Sequence, residues 1–272
     1  MMRRLLLLVV MLCLGCPEVV AGGETLRVVA GTSLVEDIVS DLTSGRVSMV
    51  TITPGSSCPG HTDIKAADMA FAADADVALV HQFQENMPQV KTMLAAANPQ
   101  LRVETLAIRG AWTIPTVQAE ASRRIAEILA AVRPSWQAEI RQRVAARLER
   151  IAAAEARARQ RLAPLAGGAV LAAAMQAEFV RWAGLTVVKE YGRAEDLTPR
   201  DLVGLMEAAR GKRVIGVVDN LQSGAETGRP LADELRVPHL VLTNFPGSLP
   251  GTQDYFGLLD YNVGRLSALA AR

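Results

Sequence analysis

The feature that most constrains this chain is a stretch of 50 residues, 116–165, that contains no strand signal at all. It is built of Ala, Arg, Glu and aliphatics, and Trp136, Ile140, Val144, Leu148 and Ile151 recur three or four apart. That period puts the apolar side chains on one stripe of a long helix. Pro134, which cannot donate to the helical ladder, splits the run into a first helix to about Arg133 and a second of roughly 30 residues to about Ala163, where Gly167-Gly168 closes the region. A rod of this length must be flanked by something that covers its apolar stripe.

Both flanks alternate short β-branched runs with helix-period segments. On the N-terminal side, strands are expected over 26–30, 47–52 and 77–80, with helices over 33–42, 63–73 and 86–97. On the C-terminal side, strands are expected over 169–174, 186–190, 213–218 and 239–243, with helices ending at Ala183, spanning 199–209 and 228–235, and starting at Tyr255. This βαβα order implies parallel sheets covered by helices. The expected fold is therefore α/β: an N-terminal lobe over 22–115, a helical connector over 116–165 and a C-terminal lobe over 166–272. Ligands of such folds sit in the crevice at the carboxyl ends of the strands, here between the lobes.

The first 21 residues read as a signal peptide. Arg3 and Arg4 precede an apolar run of roughly 10 residues, about half of what a bilayer-spanning helix needs, and a small-residue zone follows. Val19-Val20-Ala21 before Gly22 suits ordinary cleavage, which Pro17 and Cys13 favour, while Leu14-Gly15-Cys16 suits lipidation and anchoring at Cys16. Either route makes the mature chain extracytoplasmic. The net charge of +1 falls to zero once Arg3, Arg4 and Glu18 leave with the leader, so nothing steers the chain toward nucleic acid or an acidic membrane. Ordinary cleavage would leave Cys58 as the sole cysteine in an oxidising compartment, which excludes a disulfide framework and singles out that thiol.

Cys58 and His61 stand in Pro54-Gly55-Ser56-Ser57-Cys58-Pro59-Gly60-His61, a loop leaving the expected strand 47–52. A thiolate and an imidazole three apart suit zinc, copper or nickel better than magnesium or calcium. The competing reading is structural, with Cys58 as a small buried residue and His61 capping the next helix. His81 closes a strand of the same lobe and Asp219 one of the other, so either is a candidate to complete a site with Cys58 and His61, although a lone histidine at a strand end is commonly a surface or hydrogen-bonding residue and Asp219 equally suits a helix cap. Trp112, Met175, Gln176 and Asn244 are further cleft candidates, with core filling the rival role for Met175. His239 opens a strand and is set aside as a ligand. Phosphate-binding glycine loops are absent, and a Cys58/His81 nucleophile pair lacks an elbow motif or an evident oxyanion arrangement, which weighs against an enzyme.

Val28-Val29-Ala30-Gly31-Thr32-Ser33, Thr53-Pro54-Gly55 before His61, Asp68 followed by Ala75-Asp76-Val77, and Tyr255 with Asn262 together resemble the zinc/manganese-type (TroA-like) solute-binding proteins of ABC importers. The resemblance covers nearly all of the mature chain. It implies two α/β lobes bridged by a long helix, a transition metal as cargo (zinc first, with copper, nickel or manganese as alternatives), a membrane permease as partner and a monomeric chain. It matches His61 to the first metal histidine. At the second metal position this chain has Gly110, at the third Ala173, Ala174 and Met175, and at the late aspartate Thr243-Asn244. The implied protein is thus a divergent member with a Cys-Pro-Gly-His loop. It would capture a metal ion, or a metal chelate whose own atoms complete the coordination.

Overall fold

The computed structural model describes residues 25–271 except Thr62 and Ala97, with the backbone alone at His61 and Ala271. The expected signal segment 1–21, including Cys16, lies outside the described residues. In the N-terminal half, strands β1 (Leu26–Thr32), β2 (Val47–Thr53), β3 (Val77–His81) and β4 (Arg102–Leu106) alternate with helices α1 (Ser33–Thr43), α2 (Ala66–Ala73), α3 (Gln82–Glu85) and α4 (Pro88–Ala96). Helices α5 (Pro115–Val132) and α6 (Gln137–Leu162) follow. The C-terminal half carries β5 (Ala169–Ala173), β6 (Thr186–Tyr191), β7 (Val214–Asn220) and β8 (His239–Leu242) with α7 (Ala174–Trp182), α8 (Pro199–Ala209), α9 (Leu221–Gly224), α10 (Arg229–Leu235) and α11 (Tyr255–Ser267).

Each half forms a four-stranded parallel sheet, ordered β2-β1-β3-β4 and β6-β5-β7-β8, so the second repeats the winding of the first. The α/β expectation, with two parallel sheets flanked by helices and a long joining helix, is what the structure shows. In this winding the direction of the chain reverses between β1 and β3, and again between β5 and β7. The crevice at such a switch point opens at the strand carboxyl ends.

Strand period explains the layering. Val28, Ala30, Val77 and Leu79 face a central core, while Val29, Ala78 and Val80 face a smaller outer cluster with Ile52, Val90 and Met93. The central core is shared: it runs from the first sheet through Ile140, Ile151, Ala154, Ala158 and Leu162 of α6 to Phe179, Tyr255 and Leu266 of the second half. The apolar stripe read on the connector is thus buried against both lobes at once.

Two differences from the sequence reading have local causes. The edge strand β4 was not expected, because Arg102, Val103 and Glu104 offer no apolar alternation, two of them being exposed at the sheet edge. Helix α2 starts at Ala66 instead of Asp63, where the Asp68 carboxylate accepts from the Lys65 amide at 2.9 Å and fixes the start. Among the described residues no helix is long and apolar enough to cross a membrane.

Arg147, in the middle of α6, is 1% exposed. Its guanidinium donates to Asp37 Oδ2 at 2.6 Å, to Asp41 Oδ2 at 2.7 Å and to Ser122 Oγ at 3.0 Å, while Asp37 Oδ1 accepts from the Tyr255 amide at 3.3 Å. One side chain of the connector therefore joins α1, α5 and the start of α11. Burial pushes the Asp37 carboxyl above its ordinary range, and Arg147 pulls it back. Removing one partner of such a network strands a charge. Arg147→Ala should cost about 3–5 kcal/mol in urea unfolding. Arg147→Met combined with Asp37→Asn should recover part of that loss, whereas equal losses in both variants would show that Arg147 acts by packing alone.

Candidate metal-capture cleft

A cavity of about 460 Å3 opens between the two sheets at their carboxyl ends. His81, Phe83, Trp112 and Thr113 wall it on the N-terminal side, and Met175, Glu178, Asn244 and Phe245 on the other. His81 ends β3 and meets Thr32, the last residue of β1, across the switch point, Nε2 to Oγ1 at 2.8 Å. Its ring stands edge-on to Trp112 at 4.1 Å between centroids and stacks on Phe83 at 5.1 Å. Burial pushes the imidazole pKa down to about 3, so the ring is neutral at neutral pH.

The lobes touch on both sides of this cavity. Glu178 Oε2 accepts from the Ala111 amide at 2.6 Å. On the other side Gln222 Nε2 donates to the Gly55 carbonyl at 3.0 Å and to Thr243 Oγ1 at 2.8 Å. The loop after β2 is pressed hard onto the C-terminal lobe. A Cβ on Gly55 would stand 2.0 Å from the Pro246 carbonyl oxygen, so glycine is what permits the approach there, and Gly60 lies against the Arg193 guanidinium. Cys58 lies half-buried within this loop and His61 ends the short 3-10 turn Pro59–His61. The His61 side chain lies outside the described part of the structure.

Of the other expected site residues, Trp112, Met175 and Asn244 line the cavity, and Gln176 lies just behind it, fully buried, its Nε2 donating to Asn244 Oδ1 at 3.0 Å. Asp219 does not. Its carboxylate is fully buried and turned into the C-terminal lobe, where it accepts from the Tyr191 hydroxyl at 2.6 Å and the Gly228 amide at 2.8 Å and meets His239 Nε2 at 2.6 Å. A carboxylate with every lone-pair direction engaged inside a lobe is a structural group, and Asp219 is withdrawn as a cleft ligand. Parallel pairing places His239 beside Val217, two residues before Asp219, which is how a strand-opening histidine reaches a strand-closing aspartate. Among the described residues no three His, Cys, Asp or Glu side chains converge to hold a metal ion.

Glu178 and Gln222 were not singled out in the sequence. Gln222 sits in the first turn of α9 and Glu178 in the second turn of α7, both helices that follow central strands. A second hollow of about 560 Å3 at the opposite junction is lined by Glu36, Asp37, Asp41 and Asp254, but these carboxylates already accept from Thr51, Arg147, Arg150 and the Gly257 amide.

The ZnuA family, described as zinc-uptake complex component A, periplasmic, matches residues 28–269. This chain belongs to that family. The family is a metal-capturing, solute-binding component of ABC importers. Among solved structures, the periplasmic metal binding protein of Candidatus Liberibacter asiaticus superposes with a TM-score of 0.78 at 13% identity, covering 90% of this chain and 100% of that one. Its Mn-bound form gives 0.76 at 13% identity, with coverage of 90% and 100%. The periplasmic zinc binding protein TroA of Treponema pallidum gives 0.74 at 16% identity, covering 91% of this chain and 100% of that one. At such identities the likeness is one of fold. No curated protein matches the chain in sequence.

The depressed pKa of His81 has a measurable sign. The unfolded imidazole takes a proton near 6.5 and the folded one near 3, so folding is fully supported above 6.5 and loses support as pH falls toward 3. With a limiting slope of about 1.4 kcal/mol per pH unit, wild type should lose about 2 kcal/mol more than His81→Gln between pH 6.5 and 4.5 in urea unfolding. Parallel pH profiles for the two proteins would refute a buried neutral His81.

Proposed function

We propose that this chain is exported by its leader, acts as a monomer in the periplasm, and captures a transition metal ion, zinc first, between its lobes for delivery to a membrane permease. Cys58 and His61 are the residues assigned to the ion. The observation that supports this is the clamping of their loop onto the opposite lobe through Gly55, Gly60, Gln222 and Arg193. An ion held on that loop would be sensed by both lobes, as release to a permease requires: the closed and open forms must differ in affinity. A thiolate with an imidazole favours zinc, copper or nickel, and manganese least. His81 could join only by giving up Thr32, so it is assigned to the cleft wall with its imidazole as a reserve donor.

The reading is tested by elemental analysis of the purified mature protein and calorimetric titration with zinc, copper(I), nickel and manganese. One metal should bind near stoichiometry. Cys58→Ser and His61→Ala should each weaken it by more than the ~10–100-fold typical of changes just outside a coordination sphere. Asp219→Asn should instead lower stability by about 3 kcal/mol and leave the stoichiometry unchanged. A protein that binds none of the four metals, with variants indistinguishable from wild type, sinks the assignment.

A further inference from the structure

The cleft is poorly matched to a bare ion. A dehydrated divalent cation wants about four or more donors, several of them charged, and stranding it among apolar walls is prohibitive. Here the cavity wall carries one carboxylate, Glu178, with one oxygen accepting from the Ala111 amide, His81 Nε2 is bonded to Thr32, and no cluster of three ligating side chains occurs among the described residues.

What the walls do offer is organic in character. Phe83 and Met175 are each 53% exposed, one from each lobe, and both face this one cavity beside Trp112. Large apolar side chains left in water at a cleft mark a surface that something else covers. Of the buried polar atoms without a hydrogen-bond partner among the described residues, two lie at or behind this cavity: Thr113 Oγ1, on a residue that lines it, and Gln176 Oε1, on the residue behind it. Buried hydrogen-bonding groups are rarely left unpaired, and these would suit a ligand that carries donors of its own. The cavity volume of about 460 Å3 is far larger than an ion and falls in the ~300–1,000 Å3 range of small-molecule sites.

We propose that the cargo enters this cleft as a metal complex of a small organic chelator, whose aromatic or apolar face lies between Phe83, Trp112 and Met175 and whose polar edge lies against Thr113. The inference rests on the metal-capture reading above and specifies the form in which the metal is taken. The chelator supplies the donors that the walls lack.

The test uses the mature chain titrated with zinc chloride, with 1,10-phenanthroline and with their 1:1 complex, followed by calorimetry and tryptophan fluorescence. The complex should bind at least 10-fold more tightly than either component. Phe83→Ala and Met175→Ala, both at exposed positions and checked for unaltered thermal unfolding, should each weaken the complex at least 5-fold and leave zinc chloride binding unchanged. Zinc chloride binding as tightly as the complex, or variants that bind the complex like wild type, would overturn this proposal and leave metal capture standing. No binding of zinc in any form would overturn both.

Discussion

Everything in this molecule hangs on the burial of Arg147 in the connector helix. A guanidinium with 1% exposure is tolerable only if its donors are paired, and the partners come from two other helices: Asp37 and Asp41 from α1, and Ser122 from α5. Asp37 then reaches the Tyr255 amide at the start of α11, so the C-terminal half is drawn into the same network. Arg150 and the Phe256 ring extend it outward, the Arg150 guanidinium lying 4.2 Å from the ring centroid.

Because the core is shared through α6, the lobes cannot move as independent bodies. Ile140, Ile151 and Leu162 are buried in one cluster with Leu79 of the first sheet and Val170 of the second. A wide hinge would have to bend a helix of 26 residues or open that core, and bending breaks backbone hydrogen bonds. Motion between the lobes is accordingly a small tilt about the connector.

The architecture was legible because it follows from periodicity. Strand and helix periods alternate on either side of a rod that has only the helical one, and the duplicated winding follows from that alternation. What was hidden depends on distance in space. Arg147 is one of seven arginines in α6, and nothing local separates it from those on the solvated face. Asp219 was read as a cleft ligand because it closes a strand, and its true direction depends on Tyr191 and His239, which are brought to it only by sheet pairing. Met175, just after the central strand β5, and Asn244, just after the edge strand β8, are legible as cleft residues for the opposite reason: strand-exit positions face the crevice whatever the long-range packing does, while Trp112 is marked by the family resemblance. Glu178 escaped because it sits a turn further on, inside a helix whose sequence shows only its helical character, and Gln222 because its role depends on Gly55 and Thr243, which only the fold brings to it.

The same geometry bears on how a captured ligand is released. Polar latches cross between the lobes on either side of the cavity, Glu178 to the Ala111 amide on one and Gln222 to the Gly55 carbonyl and the Ser33 hydroxyl to the Pro246 carbonyl on the other. Each contributes about 1 kcal/mol net, since water replaces the lost partner when it opens. They are too weak to hold the cleft shut alone, and easily broken by a partner that grips both lobes. The resistance to opening therefore comes from the ligand and from the core around Arg147, which limits how far the tilt can go. A small tilt is enough if the ligand is held by opposed walls, because moving Met175 away from Phe83 and Trp112 by a few ångströms would already admit water and remove most of the dispersion contact between them.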